Sequence, residues 1–399
     1  MNSPNRKTDA DTLIHSNSEY NAGLSAFLDA ARWISAFAVL ITHLNNRMFV
    51  ALAQIPMDNR NIFSYLWGFI SGFAHWGVVV FFVLSGFLVG GTVLQLAINK
   101  RKFNAKKYLA ARITRIYLVL IPILIIGNSL DYFGIYLFPQ SGVYNEDIPR
   151  IMSQSIFTVI GSILNLQGLF FETLGTNGPL ATLANEFWYY MTFPLILAPI
   201  LYQKTLKGWL LFGLGVCLFM FMSLASKWHF VGFLLWCTGA IFAVQKKPLI
   251  RSPLIAFYIF LAVMISIRLG IRFPIILGPF GFIFEIVIAI CFANILCSLK
   301  FTRVNWAILN WNGHNKLGSF SYSLYAVHAS LITFMCAALK SNLDYGWHDI
   351  PKFTYQGLTA IIFIVVCLSF AWTLSLLTEK HTYRLRSFIN QKISSKTLL

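Results

Sequence analysis

Long apolar runs alternate with short polar connections along almost the whole chain. A bilayer core about 30 Å thick needs about 20 mostly apolar residues in each helix that crosses it. Segments that meet this requirement lie at roughly 28–50, 67–94, 113–137, 182–203, 208–226, 229–245, 252–270, 275–299, 318–340 and 355–378. The pattern therefore predicts an all-α integral membrane protein with about ten transmembrane helices.

A further apolar segment, 151–171, is interrupted by Gln154, Asn165 and Gln167. If it crossed the membrane, every later loop would change sides. Basic residues collect in cytoplasmic loops, and ten crossings from a cytoplasmic N-terminus place most of the 31 Lys and Arg on that side. We therefore predict that both termini are cytoplasmic and that 151–171 is an extracytoplasmic interfacial or re-entrant helix.

The same pattern divides the chain into a polar cytoplasmic N-terminal tail (1–24), a membrane domain (25–388) and a cytoplasmic C-terminal tail (389–399). The first 25 residues lack the apolar stretch of a cleavable signal peptide. We expect a multi-pass protein of the bacterial inner, or plasma, membrane with the lipid bilayer as its surroundings. No oligomeric state is specified by the sequence.

Composition supports the membrane assignment. Hydrophobic residues make up 57% of the chain and charged residues 11%, whereas soluble domains contain about 25% charged residues. A net charge of +17 is also typical of nucleic-acid-binding proteins. Here, however, the charges follow the two sides of the membrane, so no nucleic-acid partner is expected. The six cysteines lie in apolar stretches without a CxxC pair, and no metal site is predicted.

Two ionisable side chains lie within the first span, and such groups are costly in lipid. Arg32 is near the cytoplasmic end and His43 is eleven residues later. This spacing corresponds to about 16 Å along the axis and about three turns, so both side chains lie on one helix face. The alternative is that Arg32 reaches the inner headgroups and His43 lies at the outer interface.

Two carboxylates could act on these groups. Asp29 precedes Arg32 by three residues, a spacing that favours an ion pair across one turn. Glu186 starts the span after the long external segment, at about the depth expected for His43. A carboxylate at that depth could orient the imidazole as a general base, or could simply complement the helix dipole.

A basic cluster lies at the cytoplasmic start of the third span, with Arg112 and Arg115 nearest to the membrane and Tyr117 beside them. These arginines could bind a phosphate-rich ligand, or could serve only the positive-inside rule and contacts with anionic lipid. Ser85, next to Gly86 in the second span, is typical of close helix packing. His328 in the ninth span is either a core histidine or a functional one.

Several segments together resemble the acyltransferase-3 family of multi-span membrane acyltransferases. The resemblance runs in the family's order from about residue 24 to 388. It rests on LDAARWISAFAVLITH, GVVVFFVLSGFLVG, ARITRIYLVLIP, LANEFWYYMTFPLIL, LGSFSYSLYAVH and LLTEKHTYRLRSF. The fourth segment matches the family's acidic motif with Glu186 on its first acid.

The resemblance implies an O-acyltransferase that moves an acyl group, commonly acetyl, from cytoplasmic acetyl-CoA or another acyl-CoA to a carbohydrate hydroxyl. The donor is a substrate, and no bound cofactor is expected. His43 would be the general base or a transient acyl carrier, with Glu186 orienting it or the acceptor. Residues expected at the acyl-CoA are Arg32, Arg112, Arg115 and Tyr117, and the supporting residues are Asp29, Ser85, Tyr322 and His328. The alternative is a transporter or exporter with a His/Glu proton relay.

Overall fold

The structure is a computed structural model that describes residues 21–152, 154–270 and 281–395. Within these ranges the chain forms helices, turns and two isolated β-bridges. The α-helices are α1 Ala22–Met48, α2 Ile62–Ile70, α3 Ala74–Ser85, α4 Gly91–Ile98, α5 Ala105–Leu137, α6 Ile148–Met152, α7 Ile156–Ile163, α8 Leu180–Ile196, α9 Ala198–Leu201, α10 Leu206–Ala225, α11 Lys227–Val244, α12 Pro253–Gly270, α13 Phe282–Phe301, α14 Gly313–Ser319, α15 Ser321–Leu343, α16 Tyr355–Leu377 and α17 Thr382–Ser395.

The long helices run alternately up and down, so their connections gather at two ends of the bundle. One end, here called the basic end, contains the loops 99–104, 245–252 and 302–320 and the start of α5. There the Asn21 amide donates to the Leu299 carbonyl over 2.7 Å. At the opposite end, Phe49 forms a β-bridge with Asp349. The basic loops that the sequence assigned to one side therefore lie together, and their cytoplasmic location stays a prediction.

The membrane fold is confirmed. Nine helices in the described ranges are long and apolar enough to cross a membrane. The one predicted span that is not among these nine is 182–203. It corresponds to the 17-residue α8, which is about 26 Å long and is followed by the short helix α9. Peripheral helices expose large apolar side chains, as Leu210, Phe221 and Leu224 of α10 do. Such a surface suits contact with lipid.

Several boundaries differ from the predicted ones. The first helix begins at Ala22, because the Asn21 side chain caps it by accepting from the Leu24 amide. The C-terminal helix α17 extends through 389 and packs on α5. Residues 1–20, most of the predicted N-terminal tail, lie outside the described residues, as does the beginning of the predicted span 275–299.

The segment 151–171 does not cross the bundle as a helix. Its helix α7 has eight residues and is about 12 Å long, far shorter than a bilayer core. The following turn enters the bundle, where the Asn165 amide donates to the Tyr117 hydroxyl over 3.3 Å and the Trp188 indole donates to the Asn165 carbonyl over 2.9 Å. Both partners lie well inside their helices. The turn after α7 therefore lies within the bundle, and the interfacial or re-entrant form of 151–171 stays a prediction.

Helices α3 and α11 approach each other closely at a π-helical turn, Gly86–Gly90. A Cβ atom at Gly86 would overlap the carbonyl oxygen of Trp236, and one at Gly239 would overlap that of Val83. The backbones touch here because neither glycine has a side chain. The close-packing interpretation of the Ser85–Gly86 pair thus agrees with the structure.

We expect Gly86→Ala to destabilise the protein by about 1–3 kcal/mol, because the added methyl group has no space. Gly213→Ala is the matched control, since a Cβ at that membrane-helix position meets nothing within 4 Å. Thermal unfolding in detergent, followed by tryptophan fluorescence, should show a lower melting temperature for Gly86→Ala only. Equal melting temperatures for the two variants would contradict the close approach.

Candidate active site

Two histidines from different helices face each other inside the bundle. The rings of His43 in α1 and His328 in α15 have centroids 5.0 Å apart. His328 is fully buried, and its Nδ1 lies 3.1 Å from the Leu324 carbonyl oxygen. Because a carbonyl only accepts, Nδ1 carries the proton and Nε2 of the neutral ring is an acceptor. No described residue makes a hydrogen bond to this buried Nε2.

His43 also borders a cavity of about 270 Å³ toward the opposite end of the bundle. The cavity is lined by His43, Arg47, Thr176, Gly178, Pro179, Ala329 and Thr333. Arg47 lies close enough to His43 to act on it electrostatically, and its Nη2 pairs with Asp147 Oδ2 over 3.0 Å. An imidazole nitrogen is thus accessible from a small, partly polar space.

The wall of this cavity is a loop anchored by Asp131, a residue for which the sequence analysis gave no role. Asp131 is fully buried in α5 and accepts from the Thr176 amide over 2.7 Å and from the Thr176 hydroxyl over 2.8 Å. The Asn177 amide donates to the Ala326 carbonyl over 2.7 Å. These bonds fix the loop against α5 and α15. The sequence feature that points to a special role for Asp131 is its position as an acidic residue within the predicted span 113–137.

A second, narrower space of about 90 Å³ lies deeper in the bundle, toward the basic end, and is here called the arginine chamber. Arg32, Arg115 and Glu186 are its charged lining residues, and hydroxyl-bearing, apolar and aromatic side chains of α3, α5, α8 and α15 form much of the remaining lining. Arg32 keeps the predicted ion pair with Asp29 at 2.9 Å. The Arg115 side chain is exposed, and it borders both this chamber and a further cavity at the basic end.

Glu186 lines this chamber and does not line the cavity at His43, the depth at which the sequence predicts it. Its carboxylate accepts from the Tyr190 hydroxyl, which contacts the Ser85 hydroxyl at 2.9 Å. The Trp236 indole in turn donates to Ser85 over 3.0 Å. An indole only donates and a carboxylate only accepts, so the Ser85 hydroxyl donates to Tyr190 and the Tyr190 hydroxyl donates to Glu186.

Glu186 lies deeper in the bundle than His43 because of where α8 begins. The start of α8 is not at the surface, because Gly178 and Pro179 already border the cavity at His43. Glu186 is seven residues beyond Pro179, which places it about 10 Å deeper along the helix. Its charged neighbours are Arg112 and Arg115. The structure therefore brings Glu186 to the arginines and brings His328 to His43.

A third cavity, of about 420 Å³, opens at the basic end and is here called the basic cavity. Its charged lining residues are Arg112, Arg115, Glu379, Lys380 and Arg386. The last three come from the segment after α16, which the sequence analysis had not assigned to the site. The cavity shares Arg115 and Tyr322 with the arginine chamber.

Arg112 and Tyr117 have different surroundings. The Arg112 guanidinium lies over the Tyr190 ring at 5.8 Å, and no described residue makes a hydrogen bond to its buried Nε. Tyr117, predicted at the acyl-CoA, instead contacts Asn165 and packs edge-on against Phe187. Tyr117 borders neither the basic cavity nor the arginine chamber.

The three spaces follow one another along the bundle. Tyr325 lines the arginine chamber, and its ring centroid lies 6.1 Å from that of His328. The basic cavity and the arginine chamber thus share lining residues, and the chamber approaches the His43–His328 pair at Tyr325. Such an arrangement can hold a long ligand with an anionic head at one end and a reacting group at the other.

This fold defines a multi-pass membrane protein. Residues 25–378 match the family profile described as an acyltransferase domain. The chain therefore belongs to the acyltransferase-3 family.

The sequence is also 29% identical over 153 residues to an uncharacterized protein of Haemophilus influenzae. That match covers 37% of this chain and 58% of the relative. No solved structure matches the chain.

We expect Asp131→Ala to destabilise the protein by about 1–3 kcal/mol, because it leaves the buried amide and hydroxyl of Thr176 without their acceptor. Asp58→Ala is the control, since Asp58 is exposed at the same end. Melting temperatures of the purified variants measure the difference. A melting temperature of Asp131→Ala equal to that of Asp58→Ala would show that the loop does not depend on this anchor.

Proposed function

We propose that this acyltransferase moves an acyl group, with acetyl-CoA as the expected donor, to a hydroxyl of an envelope or exported carbohydrate. The observation that best supports this proposal is the order of three spaces from the basic end to the opposite end of the bundle: the basic cavity, the arginine chamber and the His43 cavity. Family membership supports this function over a transporter with a His/Glu relay. The predicted location is the bacterial inner membrane, with the basic end in the cytoplasm.

The nucleotide of CoA carries phosphates, and guanidinium groups bind phosphate bidentately. Arg112, Arg115 and Arg386 would hold these phosphates in the basic cavity, where they border open space. The pantetheine arm is long, thin and uncharged, which suits the narrow arginine chamber. In this arrangement the phosphates stay at the cytoplasmic end while the thioester reaches the histidines.

His43 would act as the general base for transfer. It takes the proton from the acceptor hydroxyl as the oxygen attacks the thioester carbonyl carbon. The carbon–sulfur bond then breaks, and the imidazolium returns the proton to the CoA sulfur. The products are the acyl ester and free CoA, with all protons accounted for.

His328 would be a positioning residue for this step. Its Nδ1–H is held by the Leu324 carbonyl, so its Nε2 lone pair faces the site as a fixed acceptor. An N–H of His43 can donate to that lone pair when the site is loaded, which leaves the other His43 nitrogen unprotonated. The second histidine thus selects the tautomer of the first.

We expect His43→Ala to lower acyl transfer by about 10²–10⁴-fold, the usual contribution of a general base. The assay is transfer of radiolabelled acetyl from acetyl-CoA to a glycan acceptor by purified protein. His348→Asn, at an exposed loop position, is the control that should retain activity. Full activity of a folded His43→Ala variant would exclude the mechanism.

We also expect Arg386→Gln to raise the KM for acetyl-CoA at least about tenfold, because a charge-assisted hydrogen bond contributes about 1.5–3 kcal/mol. The matched control is Arg303→Gln, an exposed arginine at the same end that does not line the cavity. Inhibition by CoA and by 3′-dephospho-CoA measures the phosphate contribution. An unchanged KM in Arg386→Gln would place the nucleotide elsewhere.

A further inference from the structure

The cavity at His43 is small. Its volume of about 270 Å³ lies just below the range of about 300–1,000 Å³ found for pockets that hold drug-sized ligands. The lining contains two threonines, a glycine, an arginine and the His43 imidazole, and no Phe, Tyr or Trp side chain. A space of this size holds one compact polar unit and not several consecutive residues of a polymer.

The charged group on this lining is Arg47. Its guanidinium has five N–H donors, and its ion pair with Asp147 is made through Nη2. The side chain retains 30% of its exposure and borders the cavity beside His43. The remaining donors can therefore meet an anionic group that enters the cavity, with the geometry that suits a carboxylate or a phosphate.

One position on the cavity lining, Gly178, has open space beside it. A Cβ atom at Gly178 would meet nothing within 4 Å, and its backbone is not left-handed. A larger side chain at Gly178 would therefore project into open space without straining the backbone. Gly175 in the same loop is different, because its φ is +64° and a Cβ there would overlap Asp131.

We propose that this cavity is the acceptor subsite, that it takes one hydroxyl-bearing unit carrying a carboxylate or phosphate, and that Gly178 sets the size of that unit. Arg47 pairs with the anionic group and thereby turns a hydroxyl toward His43. This inference rests on the proposed acyl transfer from acyl-CoA, and it names the chemical class of the acceptor. Gly178 is accordingly a specificity-determining position.

The role of charge is tested with three acceptors that differ only in the group at C6: methyl glucoside, its 6-carboxylate (methyl glucosiduronate) and methyl glucoside 6-phosphate. We expect the wild-type protein to acetylate at least one anionic sugar with a kcat/KM about tenfold or more above that of the neutral sugar. Which anionic sugar is preferred distinguishes carboxylate from phosphate. No preference for either, or no acetylation of any single sugar unit by a protein that acetylates membrane glycans, would overturn the proposal.

Variants separate recognition from folding. Arg47→Gln should lose the preference, whereas Asp147→Asn should keep it because the guanidinium remains. If Arg47 served only to hold Asp147, the two variants would change the kinetics alike. The control is Arg60→Gln, which alters an arginine at the same end whose side chain donates to the Ile55 carbonyl. Its preference should equal that of the wild type.

The size part is tested with Gly178→Ala and Gly178→Leu. We expect the acceptor KM to rise in that order while the KM for acetyl-CoA and the melting temperature stay near the wild-type values. An unchanged acceptor KM in Gly178→Leu would overturn the role of this position. Absence of any CoA-dependent acylation by the wild type would instead reject the proposed function itself, so the two failures are distinguishable.

Discussion

The site depends most on the guanidinium of Arg115, which lies where the basic cavity meets the arginine chamber. A cation inside a membrane bundle is costly unless anions and dipoles surround it. Glu186 of α8 and Glu379 after α16 are its acidic neighbours. Glu379 also accepts from the amide and hydroxyl of Ser323, near the start of α15. Arg115 and its acidic neighbours therefore connect α5, α8, α15 and the C-terminal segment.

A second consequence is the separation of tasks along the bundle. Most charged groups that suit a nucleotide are concentrated at the basic end, while the catalytic candidates His43 and His328 lie deeper, with Arg47 bordering the cavity at His43. Arg32 and His43 belong to one helix, α1, and both border the central spaces. A rigid helix thus fixes the distance between the entrance and the reacting group. This spacing suits an extended donor with its charge at one end.

Hydropathy and short helical spacings are local properties, so the sequence predicts the helical membrane fold and the Asp29–Arg32 pair. It could not predict which side chains meet across helices. A start of α8 at the membrane surface would place Glu186 at the depth of His43. The helix instead starts inside the bundle, beside the His43 cavity, so Glu186 lies deeper. The His43–His328 pair, the Asp131 anchor and the contribution of Lys380 and Arg386 depend on packing between segments remote in sequence. Tyr117 contacts Asn165 of the turn after α7 and borders neither the basic cavity nor the arginine chamber, a contact that the sequence alone does not predict.

An experimental structure with acetyl-CoA bound tests most directly whether the donor extends from the basic cavity to His43. We expect the nucleotide to lie between α5 and α17 against Arg112, Arg115 and Arg386, with pantetheine in the arginine chamber. The thioester carbon should be close enough to His43 for an acceptor oxygen to fit between them, with the attacking oxygen about 3–3.5 Å from the carbon. A nucleotide bound at the opposite end of the bundle, or a thioester that remains at the arginines, would contradict the account.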